Sequence, residues 1–202
     1  MVNEDATPIK RKNLFLNYHT KLKYETLNKR YFPTKGLKTN ISYTIHTDLH
    51  TNTAYSSLAT QITKIFPITL NTFIIPTIYG RFIFNDGIPF MYGNVIGGEG
   101  YNPHYEQQIP FSGLTHTEST LKLLGNAQIQ VRHKFHEKQY LTLSGNYAIH
   151  QNQFSNFLQG KKIYGTSIGY GYDSPLGPIE GFICYSNRTN KLGFYLNIGF
   201  GF

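Results

Sequence analysis

The last twelve residues of the chain alternate between large apolar side chains and small or polar ones. In an extended strand, residues at every second position share a face. One face would carry Leu192, Phe194, Leu196, Ile198, Phe200 and Phe202, and the other Lys191, Gly193, Tyr195, Asn197, Gly199 and Gly201. This pattern is typical of a half-buried sheet in a soluble protein, or of a barrel strand between lipid and an aqueous lumen.

The same alternation recurs along most of the chain and predicts about nine strands. They are expected at 14–26, 37–46, 58–69, 71–84, 121–133, 141–150, 163–172, 178–186 and 191–202. Most have about ten residues or more, which a tilted strand needs to cross a bilayer. Proline cannot donate to a sheet ladder, so the segments that contain Pro67 and Pro76 are expected to be bulged, bent or edge-like. Residues 85–119 form a long loop rich in Gly, Pro and Asn, which at this length is either functional or mobile.

Composition favours a membrane barrel over a soluble enzyme. Of the 202 residues, 15% are charged and 15% aromatic, with sixteen Tyr, nineteen Gly and no Trp. Soluble domains usually have about a quarter of their residues charged. Mean hydropathy is negative, and no run reaches the roughly 18 apolar residues of a spanning helix. One all-β domain, antiparallel throughout, is therefore expected.

The formal charge of +8 points to no particular partner. Basic residues are scattered, apart from the short runs at 10–12 and 161–162, and no nucleic-acid-binding motif accompanies them, so nucleic-acid binding is not expected. Cys184 is the single cysteine, which excludes an internal disulfide and a multi-cysteine metal site. The N-terminal residues lack an apolar segment followed by a cleavage site, so no export signal is expected within this chain.

Two patterns that could carry chemistry are interpreted as accidental. Residues 165–169 match the GxSxG motif of lipases, but a nucleophile elbow needs a strand, a sharp turn and a helix, whereas Ser167 lies in uninterrupted alternation. The eight histidines occur in different segments, and His133 and His136 would face opposite sides of a strand. We predict no catalytic residue, no metal site and no cofactor.

Several stretches resemble one protein family. The C-terminal block "YDSPLGPIEGFICYSNRTNKLGFYLNIGFGF" resembles the last strands of the outer-membrane assembly and secretion barrel superfamily, also called the bacterial surface antigen family. The stretch "NKRYFPTKGLKTNISYT" is similar to a strand opening of that family, and "NVIGGEGYNPHYEQQIPFSG" to its long sixth extracellular loop. The segments "YEQQIPFSG" and "GPIEGFICYSNRT" are most similar to the barrel that follows patatin-like phospholipase domains in Bacteroidetes-type bacteria.

The resemblance implies an antiparallel transmembrane β-barrel of about sixteen strands in the bacterial outer membrane. This chain would form the C-terminal half of that barrel. It implies a role in anchoring, or in translocating, an associated passenger or patatin-like lipase domain, with any lipase activity in an N-terminal domain absent from this chain. Implied partners are outer-membrane lipid, the barrel-assembly machinery through the C-terminal strand ending at Phe202, and the missing N-terminal half or another chain. Because single-chain bacterial barrels generally have even strand numbers, we expect a fragment or an imperfect closure.

The long loop contains the residues expected to contact the lumen. In the family this loop carries an Arg near its tip, whereas the aligned residues here are 101–104, Tyr-Asn-Pro-His. Gly97, Gly98 and Gly100 lack the Lys-Ser or Lys-Thr pair and the helix of a phosphate-binding loop, and are expected to let the loop fold tightly. The candidate loop–lumen contacts are Gly97, Gly98, Tyr105, Glu106, Gln107 and Gln108; a simple exposed loop is the alternative for the last three.

Two other functions remain open from the sequence. A small lipid-binding β-barrel with an apolar interior would turn the apolar face of each strand inward and put the Lys, Arg, Gln and Asn side chains of residues 122–134 outside. An esterase would use Ser167 as its nucleophile.

Overall fold

A computed structural model describes residues 14–85, 89, 92–98, 107–114 and 116–199 of the chain. These residues are nearly all β, with one 3-10 helix at Phe154–Gln159 between the ninth and tenth strands. The strands are β1 (Phe15–Glu25), β2 (Gly36–Asp48), β3 (Thr53–Pro67), β4 (Thr72–Ile83), β5 (Val95–Ile96), β6 (Gln108–Ile109), β7 (Glu118–Ser119), β8 (Leu123–His136), β9 (Gln139–Gln151), β10 (Lys161–Ser174), β11 (Gly177–Ser186) and β12 (Leu192–Ile198).

Nine of these strands form one sheet in the order β1-β2-β3-β4-β8-β9-β10-β11-β12, and every neighbouring pair is antiparallel. The predicted all-β, antiparallel barrel fold is thereby confirmed, although the sheet is not closed. Within the described residues, β1 and β12 are its two edges. The short strands β5, β6 and β7 belong to the long loop and form a separate small sheet.

The sheet buries the polar side of its strands. On β10 the buried residues are Ile163, Gly165, Ser167, Gly169 and Gly171, and the exposed ones between them are Tyr164, Thr166, Ile168 and Tyr170. On β9, Thr142, Ser144 and Asn146 are buried while Leu141, Leu143 and Tyr147 are exposed. This is the arrangement of a barrel wall with a polar lumen and an apolar outer surface. The alternative of a lipid-binding barrel with an apolar interior is wrong, because it needs the opposite orientation.

Of the three forms predicted for β4, bulged, bent or edge-like, the structure excludes the edge strand. Its proline, Pro76, does not place it at an edge, since β4 lies inside the sheet between β3 and β8. Pro76 pairs in register with Ile129 of β8. On the β3 side the pairing stops at Thr63 with Thr77 and resumes at Phe66 with Ile74. The missing N–H of proline therefore interrupts the ladder on one side only.

The two ends of the sheet have different connections. The loop end carries the 49–52 turn, the long connection between β4 and β8, the segment with the 3-10 helix and the 187–191 turn. The turn end carries the 26–35 loop and the short turns at 68–71, 137–138 and 175–176. No helix among the described residues is long and apolar enough to cross a membrane.

Candidate functional site in the lumen

The described part of the long loop packs against the inward face of the sheet. We call its described residues 92–98 and 107–114 the plug. Its apolar side chains form one buried cluster with inward-facing residues of the wall. The plug contributes Ile96, Ile109, Phe111 and Leu114, and the wall contributes Leu124, Ala148 and Ile163. Burial of these side chains, of which Ile96 and Phe111 are fully buried, holds the plug in the lumen.

Four of the predicted contact residues, Gly97, Gly98, Gln107 and Gln108, belong to the plug. Gly97 and Gly98 have φ of +121° and +77°, the left-handed region that favours glycine. The side-chain amide of Gln108 donates to the Gly97 carbonyl oxygen at 2.7 Å. Gln107 is half-buried and its carbonyl oxygen accepts from the Val95 N–H.

The remaining loop predictions fall on residues that the structure does not describe. Tyr105 and Glu106 lie outside the described residues, as do Gly100 and the Tyr-Asn-Pro-His segment at 101–104.

Neutral amides of the wall hold the plug backbone. Asn126 donates to the Pro110 carbonyl oxygen at 3.3 Å, and Asn146 donates to the Ser112 carbonyl oxygen at 3.4 Å. Gln128 reaches the Ser112 hydroxyl at 3.4 Å. Within the described residues, the acidic side chain at an inward position of β8, β9 and β10 is Asp173, which lies at the turn end of β10, away from the plug. The plug is therefore seated by amide–carbonyl hydrogen bonds and apolar burial, without an ion pair to this part of the wall.

The plug backbone also comes very close to β10. A Cβ on Gly165 would collide with the Ser112 carbonyl oxygen and lie 2.8 Å from the Phe111 ring. Gly113 has φ of +106°, and a Cβ there would collide with the Tyr185 carbonyl oxygen. Glycine at both positions lets two backbones approach to a distance that a side chain would prevent.

Hydrogen bonds of a buried arginine and of an asparagine hold the two ends of the connection between β4 and β8 against the sheet. Arg81, at the end of β4, donates through one guanidinium nitrogen to the Asn94 side-chain oxygen at 2.6 Å and to the Tyr92 carbonyl oxygen at 3.2 Å. The Asn94 amide in turn donates to the carbonyl oxygens of Leu121 and Lys122 at 2.8 and 2.7 Å. Sequence reasoning missed Arg81 and Asn94. The only signal was a charged residue at the end of an apolar strand, which a solvated position would explain equally well.

A second loop enters the lumen from the turn end. Phe32, in the 26–35 loop, is fully buried and stacks on Tyr140 with ring centroids 4.3 Å apart. Arg132 lies 5.5 Å from the Phe32 ring and donates to the Pro33 carbonyl oxygen at 3.5 Å. A cation over an aromatic face is stabilising when the pair is shielded from water. Gly171 leaves room for Phe32, because a Cβ there would lie 2.7 Å from its ring.

Between the plug and the 26–35 loop lies a cavity of about 160 Å³. Its charged lining residues are Arg30, Lys38, Arg132 and Glu180, and half of its other lining residues are Gln, Thr or Ser. The wall around it contains buried polar atoms without a hydrogen-bond partner in the described residues, among them Ser144 Oγ and Asn146 Oδ1. The cavity is thus bounded by the plug at the loop end and by the 26–35 loop at the turn end.

Ser167 lies in the middle of β10, paired with Ser144 of β9 and Cys184 of β11. Neither a sharp turn nor a helix adjoins it, because β10 runs from Lys161 to Ser174. Its hydroxyl has no hydrogen-bond partner in the described residues. Within the same residues, no group of three His, Cys, Asp or Glu side chains is placed to hold a metal ion.

The outer surface of the sheet is apolar and banded. Tyrosines face outward near the loop end, and aromatic residues face outward again near the turn end, where Phe135 and Tyr170 have ring centroids 6.1 Å apart. Aliphatic residues such as Leu143, Ile168 and Ile183 lie between, each about half exposed. The outward positions of the nine strands carry only two charged side chains, Lys64 and Lys162, both near strand ends. Two aromatic girdles around an apolar band are typical of a barrel surface in a bilayer.

The sequence profile of the OMP85 superfamily matches residues 2–202, which is nearly the whole chain. A search of curated proteins found no match to the chain.

Proposed function

Because the chain belongs to the OMP85 superfamily, we propose that it forms part of an outer-membrane β-barrel that anchors an associated passenger domain to the membrane. The observation that carries this proposal is the polarity of the sheet. Apolar and aromatic side chains face outward without charges in the middle of the wall, and the polar side chains face a lumen. Water would disfavour that outer surface, whereas lipid would stabilise it.

Anchoring is better supported than translocation through this part of the lumen. The plug occupies the loop end, and Phe32 with its loop occupies the turn end. A polypeptide could pass only if one of these segments moved or if the sheet opened. The passenger that we propose is a patatin-like lipase domain, on the resemblance of "YEQQIPFSG" and "GPIEGFICYSNRT" to the barrels that follow such domains. We propose that catalysis belongs to that passenger and not to this chain.

The proposed partners follow from the same assignment. They are outer-membrane lipid around the sheet, the barrel-assembly machinery at the C-terminal strand ending at Phe202, and further strands at the two edges. Edge strands in hydrocarbon leave backbone N–H and C=O groups unsatisfied, at a cost of several kcal/mol each. We therefore propose that strands of another segment or another chain pair with β1 and β12.

Substitutions of two neighbouring residues of β8 test directly which face of the sheet contacts lipid. Ile129 is 53% exposed on the outer face, and Gln130 lines the cavity on the inward face. In a bilayer, Ile129→Arg should reduce the free energy of unfolding by about 2–4 kcal/mol, whereas Gln130→Arg, in a hydrated lumen, should change it far less. Urea titration of both variants refolded in vesicles measures the difference.

A soluble sheet gives the opposite expectation for this pair. An arginine at an exposed surface position usually changes stability by less than about 0.5 kcal/mol. Equal stability of the Ile129→Arg variant and the parent protein, together with their absence from the membrane fraction of producing cells, would overturn the proposal.

A further inference from the structure

A short apolar segment leaves the sheet at the loop end and folds back onto its outer surface. It is the 3-10 helix Phe154–Gln159, which joins β9 to β10. The ring of Phe157 lies against Gly125, an outward-facing residue of β8, where a Cβ would lie 3.1 Å from the ring. The segment therefore packs on the apolar side of the wall and not over the lumen.

The segment joins an aromatic cluster with the end of β4. Phe82 has its ring centroid 6.0 Å from those of both Phe154 and Phe157, and the Phe84 ring stacks on Phe154 at 6.1 Å. Aromatic pairs at these separations are attractive and fix the position of the segment. The cluster is nevertheless uncovered, since Phe154 is 58% exposed and Leu158 is 75% exposed. A fixed and uncovered apolar surface is typical of an interaction site.

The position of the segment along the wall indicates what covers it. Tyr147 and Tyr164 pair with each other in the tyrosine band near the loop end, and Tyr147 also pairs with Ala127 of β8. Gly125, which contacts the segment, is the next outward residue of β8 toward the loop end. Aromatic bands lie at the level of the lipid headgroups. The uncovered residues are therefore continuous with the lipid-facing surface at its upper boundary.

A basic residue stands beside this surface. Lys162 is exposed and occupies the outward position of β10 next to Tyr164, toward the loop end. A lysine at this level can keep its aliphatic stem on the apolar wall and its ammonium group among lipid phosphates. Apolar contact with acyl chains and a cation near phosphate together favour an anionic lipid surface as the occupant.

We propose that the segment Phe154–Gln159 is an interfacial anchor, which inserts Phe154 and Leu158 at the boundary between headgroups and acyl chains while Lys162 binds lipid phosphate. This inference rests on the proposed function, because it requires the outer surface to be in lipid. The anchor fixes the height of the sheet in the membrane at its loop end.

The lack of Trp in the sequence makes the test direct. Leu158→Trp and, separately, Ile168→Trp each give the full chain a single indole, the first in the proposed anchor and the second in the middle of the outer wall. Each variant is refolded into phosphatidylcholine and phosphatidylglycerol vesicles that contain lipids brominated either near the headgroup or deep in the acyl chain. We expect the indole of Leu158→Trp to be quenched more by the shallow bromines, and that of Ile168→Trp more by the deep ones.

The two variants separate failure of the anchor from failure of the proposed function. Quenching of Ile168→Trp without quenching of Leu158→Trp would overturn the anchor and leave the membrane barrel standing. An absence of quenching in both variants would overturn both.

The phosphate contact has its own test. In the Leu158→Trp protein, quenching of the indole by the brominated lipids is measured at different phosphatidylglycerol contents of the vesicles. Lys162→Gln should make this quenching less dependent on the phosphatidylglycerol content. Lys161→Gln is the matched control, because Lys161 is also exposed but has the inward parity of β10. If the two glutamine variants retain the same phosphatidylglycerol dependence as the parent, Lys162 does not bind lipid phosphate.

Discussion

At the scale of single residues, the inward face of β10 explains a motif that resembles a catalytic one. Gly165 and Gly171 of this face lie against Ser112 and Phe32, which belong to the two segments that enter the lumen from opposite ends. Ser167 lies between the two glycines on the same face. The small side chains of the GxSxG segment therefore leave room for those segments to pack on the wall. The motif arises from close packing, which Gly and Ser allow because both are small.

The packing interpretation predicts the effect of Ser167→Ala. The Ser167 hydroxyl is buried without a hydrogen-bond partner in the described residues, so its removal relieves a desolvation cost and should leave stability unchanged or raise it slightly. Hydrolysis of a short-chain ester by the purified protein should be the same before and after the substitution. Loss of a measurable esterase activity in the alanine variant would instead make Ser167 a nucleophile.

At the scale of elements, the strands were predictable and the path of the long loop was not. Alternation located all nine strands of the sheet, because a wall between two solvents imposes a period of two on every strand. Pro76 left β4 open as a bulged, bent or edge-like strand, because the sequence does not reveal that a proline interrupts pairing on one side of a strand only. In the plug, Gly97, Gly98 and Gln108 were candidates from the sequence, whereas Phe111 and Leu114 were not. Their burial depends on wall residues such as Ala148, far along the chain, which local patterns do not reveal.

The plug itself gives a prediction at this scale. Gly165→Ala would place a methyl group against the Ser112 carbonyl oxygen and the Phe111 ring, so we expect the plug to be displaced while the sheet remains folded. Gly145→Ala is the matched control, because the nearest atom to its added Cβ is 4.0 Å away. Hydrogen exchange of residues 107–114 should accelerate in the first variant only. Unchanged protection of the plug in Gly165→Ala would show that its seating does not depend on close approach to β10.

At the scale of the whole molecule, the number of strands restricts how the sheet can be completed. In a fully antiparallel sheet of nine strands, the first and last strands run in the same direction. Closure of β1 on β12, or on the β12 of an identical sheet around a common axis, would therefore require a parallel seam. A complementary sheet with an odd number of strands closes both seams with antiparallel pairs and gives an even total, as bacterial barrels generally have. Because β1 and β12 run in the same direction, we expect the barrel to be completed by a different set of strands and not by a second copy of this sheet.

Hydrogen exchange of the chain refolded alone in vesicles tests whether such a partner is needed. Amides of β8 and β9 pair on both sides and should exchange slowly, whereas β1 and β12 each pair on one side among the described residues, so about half of their amides should exchange fast. Strands that complete the barrel should slow the exchange of both edges when they are supplied together with the chain. Slow exchange of the β1 and β12 amides in the chain alone would mean that these two edge strands already pair with each other. Because β1 and β12 run in the same direction, they could pair only as parallel strands. The edges would then need no partner, and the odd strand number would describe a complete wall.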